Sequence, residues 1–199
     1  MGEAMMIKVK EIKKSFGDLV VLDGVNLEIP KGGRLCIMGR SGCGKTTLLR
    51  ILGGLVKQDA GTVEGILRPI PVFQEDRLAE AFTPLRNLLL VSRDRKGAVA
   101  LLEELGLADA ISKPTRELSG GMKRRVAIAR ALMAEGDVLL LDEPFKGLDD
   151  ETRRTVAASV LRHLGGRTLI AVTHDEEDAS LLSASVLTLD EEESSEKRK

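Results

Sequence analysis

Residues 39–46 read GRSGCGKT, and this octet constrains the chain more than any other stretch. It fits the pattern Gly-x-x-x-x-Gly-Lys-Ser/Thr, in which a glycine loop between a strand and a helix cradles phosphate groups. The flanks agree with that setting. The apolar LCIM before it reads as a strand, and a helix is expected from Lys45 to about Leu55, with Gly53-Gly54 marking its end. Gly39, Gly42 and Gly44 allow positive φ and a close approach to phosphate oxygens. Backbone N–H groups then point inward, and the helix adds its positive N-terminal end. Lys45 is suited to reach the β- and γ-phosphates as a mobile point charge. Thr46 can offer a hydroxyl to Mg²⁺, a hard ion that prefers oxygen. Arg40, Ser41, Cys43 and Thr47 complete the candidate nucleotide cradle. The competing reading, a chance match in a glycine-containing turn, does not account for the strand before and the helix after.

The remaining pattern predicts an α/β chain. Ile7 and Val9 alternate with lysines, and Val25, Leu27 and Ile29 alternate with polar residues ahead of a Pro-Lys-Gly-Gly turn. This gives a β-rich start, read as an antiparallel subdomain. Short strands are expected at 62–67 and 70–73. A helical pattern covers 83–107, with Thr83 as N-cap and Pro84 at the first position. A long amphipathic helix covers 119–135. The apolar run 138–141 ends in Asp-Glu, as a buried parallel strand should. Helix 149–164, strand 168–173, helix 175–182 and strand 185–189 follow. Strands alternating with helices imply a parallel sheet wrapped by helices. One domain over 1–190 is expected, with a small helical lobe at about 76–118. The segment 191–199, EEESSEKRK, lacks an apolar anchor and reads as a frayed polar tail.

Charge and composition narrow the class. Thirty Lys and Arg against 31 Asp and Glu give a net charge of −1, so no global basic field recruits nucleic acid. No apolar run is long enough to span a bilayer, and the N-terminus lacks a signal-peptide pattern. A cytoplasmic chain is expected, and any spanning helices must come from another subunit. The two cysteines, Cys36 in the apolar LCIM and Cys43 in the loop, make no secreted framework, and Cys36 reads as a small core residue.

Asp142 and Glu143 end an apolar strand expected to lie beside the loop strand. Carboxylates there are costly unless they serve a cation or a water. With side chains alternating along a strand, Asp142 can face Mg²⁺ while Glu143 faces an attacking water. Residues 118–122, LSGGM, place Ser119 as an N-cap and expose N–H groups of Gly120 and Gly121 at a helix start, a second anion site. The bland readings are a solvated strand end and an ordinary capped helix. The phosphate loop elsewhere in the same chain turns the argument toward function.

These stretches, with His174, resemble the ATP-binding cassette (ABC) ATPases in order and over nearly the whole chain. The resemblance implies a P-loop NTPase core that hydrolyses ATP with Mg²⁺. Asp142 is then the metal aspartate and Glu143 the residue that polarises water. Gln74, in VFQED, corresponds to a Mg²⁺-ligating glutamine that senses the partner subunit. His174, in AVTHD, corresponds to a histidine that contacts the γ-phosphate. Asp149 corresponds to an aspartate of the subunit interface, with Lys146 where a small residue is more usual. Phe16 sits where an aromatic ring stacks on adenine, and a Phe before Gly17 in a polar turn is otherwise poorly explained as core. Met122 stands where Gln is usual. In this family the Ser-Gly-Gly turn of one subunit closes on ATP held by the other, so a homodimer with ATP at its interface is implied.

The short helical lobe and the wording VFQEDRL resemble the importer ATPases for nitrate, sulfonate, taurine or thiamine precursors. That implies a transmembrane permease, a solute-binding protein, and a place on the cytoplasmic face of the membrane. An exporter or lipid-extraction ATPase shares the chemistry and stays open. So does a soluble ABC ATPase, although such proteins usually carry a coiled-coil insertion or tandem cassettes, absent from this sequence.

Overall fold

The computed structural model describes residues 6–189. The expected polar tail at 191–199 lies outside the described residues, as do the first five positions. Strands β1 (Met6–Phe16) and β2 (Leu19–Pro30) form an antiparallel hairpin, and β4 (Ala60–Glu64) joins the free side of β1. The alternation read in the sequence holds here. Ile7, Val9 and Ile12 of β1 and Leu22, Leu27 and Ile29 of β2 are buried. The hairpin turns at Gly17, with φ of 58°.

Five strands make a second, wholly parallel sheet: β5 (Pro69–Val72), β6 (Val138–Asp142), β7 (Thr168–Val172), β3 (Arg34–Met38) and β8 (Ser185–Thr188), in that order. Every residue of β6 and β7 is buried, as their unbroken apolar runs require. Successive side chains feed opposite faces. Leu139, Leu141, Leu169, Ala171 and Cys36 join one core with the helical lobe. Leu140, Ile170, Val172, Leu35 and Ile37 join another with the hairpin and α1 (Lys45–Leu52). Burial pushes the Cys36 thiol up to about 12, so it packs as an apolar group.

Two expectations need correction. The strand ending in Asp142 does not lie beside the loop strand, because β7 intervenes between β6 and β3. The helix α1 closes that gap by packing across both β6 and β7. The helical pattern over 83–107 is two helices, α2 (Pro84–Leu88) and α3 (Arg95–Glu104). Thr83 caps α2 by accepting from Arg86 N at 3.2 Å, as expected. The break comes from competing polar groups. The Asp94 carboxylate accepts from Gly97 N at 2.9 Å and starts a new helix, while Ser92 Oγ accepts from Asp94 N at 3.2 Å.

Buried Asn87 then pins α2. Its side chain bonds both main-chain groups of Ala79, at 2.9 and 3.1 Å, and donates to Thr115 Oγ1 at 3.1 Å. Helices α4 (Gly120–Met133), α5 (Asp150–His163) and α6 (Glu176–Leu181) complete the chain. Their N-caps are Ser119, Asp149 and Asp175. No helix among the described residues is long and apolar enough to cross a membrane.

Candidate nucleotide-binding site

A cavity of about 590 Å³ opens at the carboxyl ends of β3, β5, β6 and β7, the side on which parallel sheets receive ligands. Of the residues singled out in the sequence, Phe16, Ser41, Gly42, Gly44, Lys45, Thr46, Thr47, Gln74, Glu143 and His174 line it. Val21, Lys146 and Val172 complete the wall.

The loop has the shape that its glycines permit. Gly44 has φ of 98° and starts α1 with no side-chain cap. A Cβ there would sit 2.7 Å from Leu22 Cδ2 and 2.8 Å from Val21 O, so the β2 hairpin presses directly on the loop. Gly42, with φ of 88°, faces open space and is required for its backbone conformation alone. The first-turn N–H groups of α1 have no intrahelical acceptor and suit an anion. Lys45 is buried, and its ammonium donates to Gly39 O at 2.8 Å and Arg40 O at 2.7 Å. These bonds fold the cation over its own loop, beside the cavity.

At the floor, Thr46 Oγ1 donates to Asp142 Oδ1 at 3.3 Å, across the width of β7. Asp142 Oδ2 is buried with no hydrogen-bond partner. Burial raises the Asp142 pKa, the Thr46 hydrogen bond opposes that, and the neighbouring Glu143 charge adds to it. A buried carboxylate oxygen without a donor calls for a cation. The Thr46 hydroxyl, the Asp142 carboxylate and the Gln74 amide oxygen are hard oxygen donors of the kind a small divalent ion takes.

Glu143 does not continue the strand. Its φ is 48°, in the left-handed region, and its N–H donates to Val172 O at 2.8 Å. The kink, rather than strand alternation, separates it from Asp142. Its two carboxylate oxygens each lie 3.0 Å from His174 Nδ1. A carboxylate can only accept, so Nδ1 carries the proton and Nε2 is left for another partner. The hydrogen bond and charge of Glu143 raise the His174 pKa above its ordinary value.

Other sequence-marked residues lie elsewhere. Gly39 and Arg40 line a neighbouring open depression, shared with His174. Cys43 is half-buried. Ser119 caps α4 by accepting from Met122 N at 3.3 Å, and Ser119 and Gly120 are exposed. Asp149 caps α5, accepting from Thr152 N and Thr152 Oγ1, both at 2.9 Å, which holds its carboxyl below the usual range. None of Ser119, Gly120, Gly121 and Asp149 lines the cavity.

Sequence reasoning missed two arginines. Arg153 on α5 grips the start of α6. Its Nε donates to Asp178 Oδ1 at 2.7 Å and its Nη1 to Glu177 Oε2 at 3.2 Å, with a further bond to Asp175. Thr173 Oγ1 also donates to Asp178, so His174 is held on both sides. The acid-rich HDEED was a usable signal for a basic partner. Arg124 on α4 is buried among main-chain oxygens, and a run of Lys-Arg-Arg after LSGGM gave no hint of which residue points inward.

The ABC transporter family matches residues 22–146. The aliphatic sulfonates import ATP-binding protein SsuB 2 of Paraburkholderia xenovorans (strain LB400) is 40% identical over 192 residues, covering 93% of this chain and 77% of that protein. SsuB 1 of Frankia alni (strain DSM 45986 / CECT 9034 / ACN14a) is 43% identical over 197 residues, covering 96% and 73%. Among solved structures, the dimeric post-hydrolysis state of the ATP-binding cassette MJ0796, bound to ADP and Pi, superposes with a TM-score of 0.80 at 31% identity. It covers 92% of this chain and 94% of its own.

Proposed function

This chain belongs to the ABC transporter family, and on that premise we propose that it is the ATP-hydrolysing subunit that powers a small-molecule importer. The single observation that carries the catalytic part is the left-handed turn at Glu143. It sets one carboxylate against His174 in the cavity while Asp142 stays beneath, bonded to Thr46. In this reading residues 39–47 hold the triphosphate, with Lys45 swinging from its loop carbonyls to phosphate oxygens. The exposed ring of Phe16 supports adenine from the hairpin tip. Thr46, Asp142 and Gln74 would hold Mg²⁺, which would neutralise phosphate charge. Glu143 orients the attacking water, and His174 offers Nε2 to the γ-phosphate.

Ser119, Gly120, Gly121 and Asp149 lie off the cavity, which fits a role across a homodimer interface toward the partner's ATP. The MJ0796 cassette, a dimer in its post-hydrolysis state, supports that arrangement. The permease is expected to dock at a groove of about 270 Å³ between β5 and α4. That groove is lined by Phe73, Asp76, Arg77, Val91 and Arg130, and Val91 and nearby Leu55 are exposed apolar residues. In this reading residues 1–190 are one domain on the cytoplasmic face of the membrane, and a solute-binding protein delivers cargo. Sulfonates or related small anions are the cargo class suggested by the relatives' names.

The test is Glu143→Gln. ATP binding should persist while hydrolysis falls by about 10²–10⁴-fold, the range for loss of a general base. The variant should also dimerise in Mg²⁺-ATP by light scattering. Near-parental turnover would remove Glu143 from this role.

A further inference from the structure

Lys45 and Arg124 are the two buried cations among the described residues. Lys45 belongs to the phosphate loop; Arg124 is not among the residues that line the cavity. It sits in the second turn of α4, and its guanidinium is spread over oxygens from two separate loops. Nη2 donates to Asp142 O and, at 2.9 Å, to Glu143 O. Nε donates to Pro144 O at 3.2 Å. Nη1 donates to Phe73 O and, at 3.2 Å, to Asp76 Oδ1.

Three consecutive carbonyls, 142 to 144, therefore converge on one cation. An extended chain points successive carbonyls to opposite sides, so this convergence needs a fold in the backbone. The fold is at Glu143, with φ of 48°. A residue with a Cβ stays in that region only when its surroundings hold it there. The one carboxylate that it bonds among the described residues is Asp76. Main-chain oxygens thus do most of the solvation of this charge, and the planar fork of an arginine is what can reach so many at once.

We propose that Arg124 is a positioning residue for ATP hydrolysis. By gathering carbonyls 142–144 it fixes the left-handed turn that aims the Glu143 carboxylate at His174, and through Phe73 and Asp76 it ties that turn to the loop carrying Gln74. The proposal rests on the reading of Glu143 as the water-orienting residue. Arg124 acts through that carboxylate and never touches ATP. Its loss should lower kcat and spare nucleotide binding.

The experiment uses the full chain carrying Arg124→Gln, Arg124→Lys, Glu143→Gln, and Arg124→Gln combined with Glu143→Gln. A fluorescent ATP analogue reads binding, steady-state hydrolysis reads kcat and KM, and NMR reads the two histidine rings. Arg124→Gln should bind the analogue within about twofold of the parent and lose at least about tenfold in kcat. In the Glu143→Gln background the same change should cost less than about twofold more, since the group it acts through is already gone. The His174 ring signals should move in Arg124→Gln while those of His163, which pairs with Glu104 at 3.0 Å, stay in place as the internal control.

Losses that multiply in the double variant, or His174 signals that do not move, overturn the proposal. If Arg124→Gln does not fold, Arg124→Lys keeps the charge without the fork and is read by the same two criteria. If Glu143→Gln alone retains turnover, the reading of Glu143 fails by itself, and the His174 signals still decide whether Arg124 sets the turn.

Discussion

Two helices in this chain begin at glycine-rich turns, and their first turns are finished differently. Helix α1 starts from Gly44, which has no side chain to cap it, so its leading N–H groups stay available at the edge of a cavity. Helix α4 starts from Ser119, whose hydroxyl takes up the Met122 N–H at an exposed position away from that cavity. The same helix-end electrostatics are available at both. Only α1 is enclosed by a second layer, because the β2 hairpin presses on Gly44 and Phe16 overhangs the loop. One helix start opens into a cavity within a single chain, whereas the other faces solvent, which suits the role toward a second subunit proposed above.

The sharpest way to break this comparison is to disable each end in turn and measure nucleotide binding by the free chain. Lys45→Ala removes charge-assisted hydrogen bonds worth about 1.5–3 kcal/mol, so affinity for an ATP analogue should fall roughly ten- to hundredfold. Ser119→Arg should leave that affinity within about twofold and abolish hydrolysis, since its partner site is met only in the dimer. Equal loss of binding in both would show that the two ends are not distinct in the monomer.

A smaller effect comes from adding the same methyl group at each start. Gly44→Ala meets Leu22 at 2.7 Å in a left-handed backbone and should destabilise by about 1–3 kcal/mol in urea. Gly120→Ala meets nothing within 4 Å and should change stability by less than about 0.5 kcal/mol. Removing the cap of α4 sharpens the contrast further. Ser119→Ala should cost about 1 kcal/mol, seen as a lower urea midpoint, with binding by the free chain unaffected.

The smallest expected effect is electrostatic. Glu143 raises the His174 pKa, so the pair stabilises the fold fully below the ordinary imidazole value, and that contribution fades as pH rises through the raised one. An NMR titration of Glu143→Gln should bring the His174 midpoint back toward about 6.5. An unchanged midpoint would mean the pair does not form in solution.

What the sequence revealed, and what it hid, follows from the range over which each feature is determined. The glycine turn between a strand and a helix, the caps at Thr83 and Ser119, and the strands β6 and β7 are local, and they read correctly. Strand order is not local. Nothing near VLLLDE states that β7 will sit between that strand and β3. The kink at Glu143 was likewise hidden, because it depends on Arg124, 19 residues away in sequence. The break between α2 and α3 was legible in principle, since Ser92 and Asp94 are cap-forming residues inside an otherwise helical pattern. Of the candidate site, most residues that line the cavity could be named from the chain, Val21 and Val172 excepted, whereas those that hold the liners in place could not.

The lateral partners of β3 are β7 and β8, which begin at Thr168 and Ser185. The glycine loop thus leaves the ribosome well before either neighbour of its strand. Between the emergence of β3 and that of β8 the ribosome adds on the order of 150 residues, or roughly ten seconds or more at ordinary elongation rates. Until Thr168–Val172 emerges the apolar LCIM has neither neighbour, and the closure it awaits is of the long-range kind that forms slowly. The nascent chain therefore carries a hydrophobic strand without lateral partners through that interval. Strand β3 is flanked on both sides only when β8 arrives.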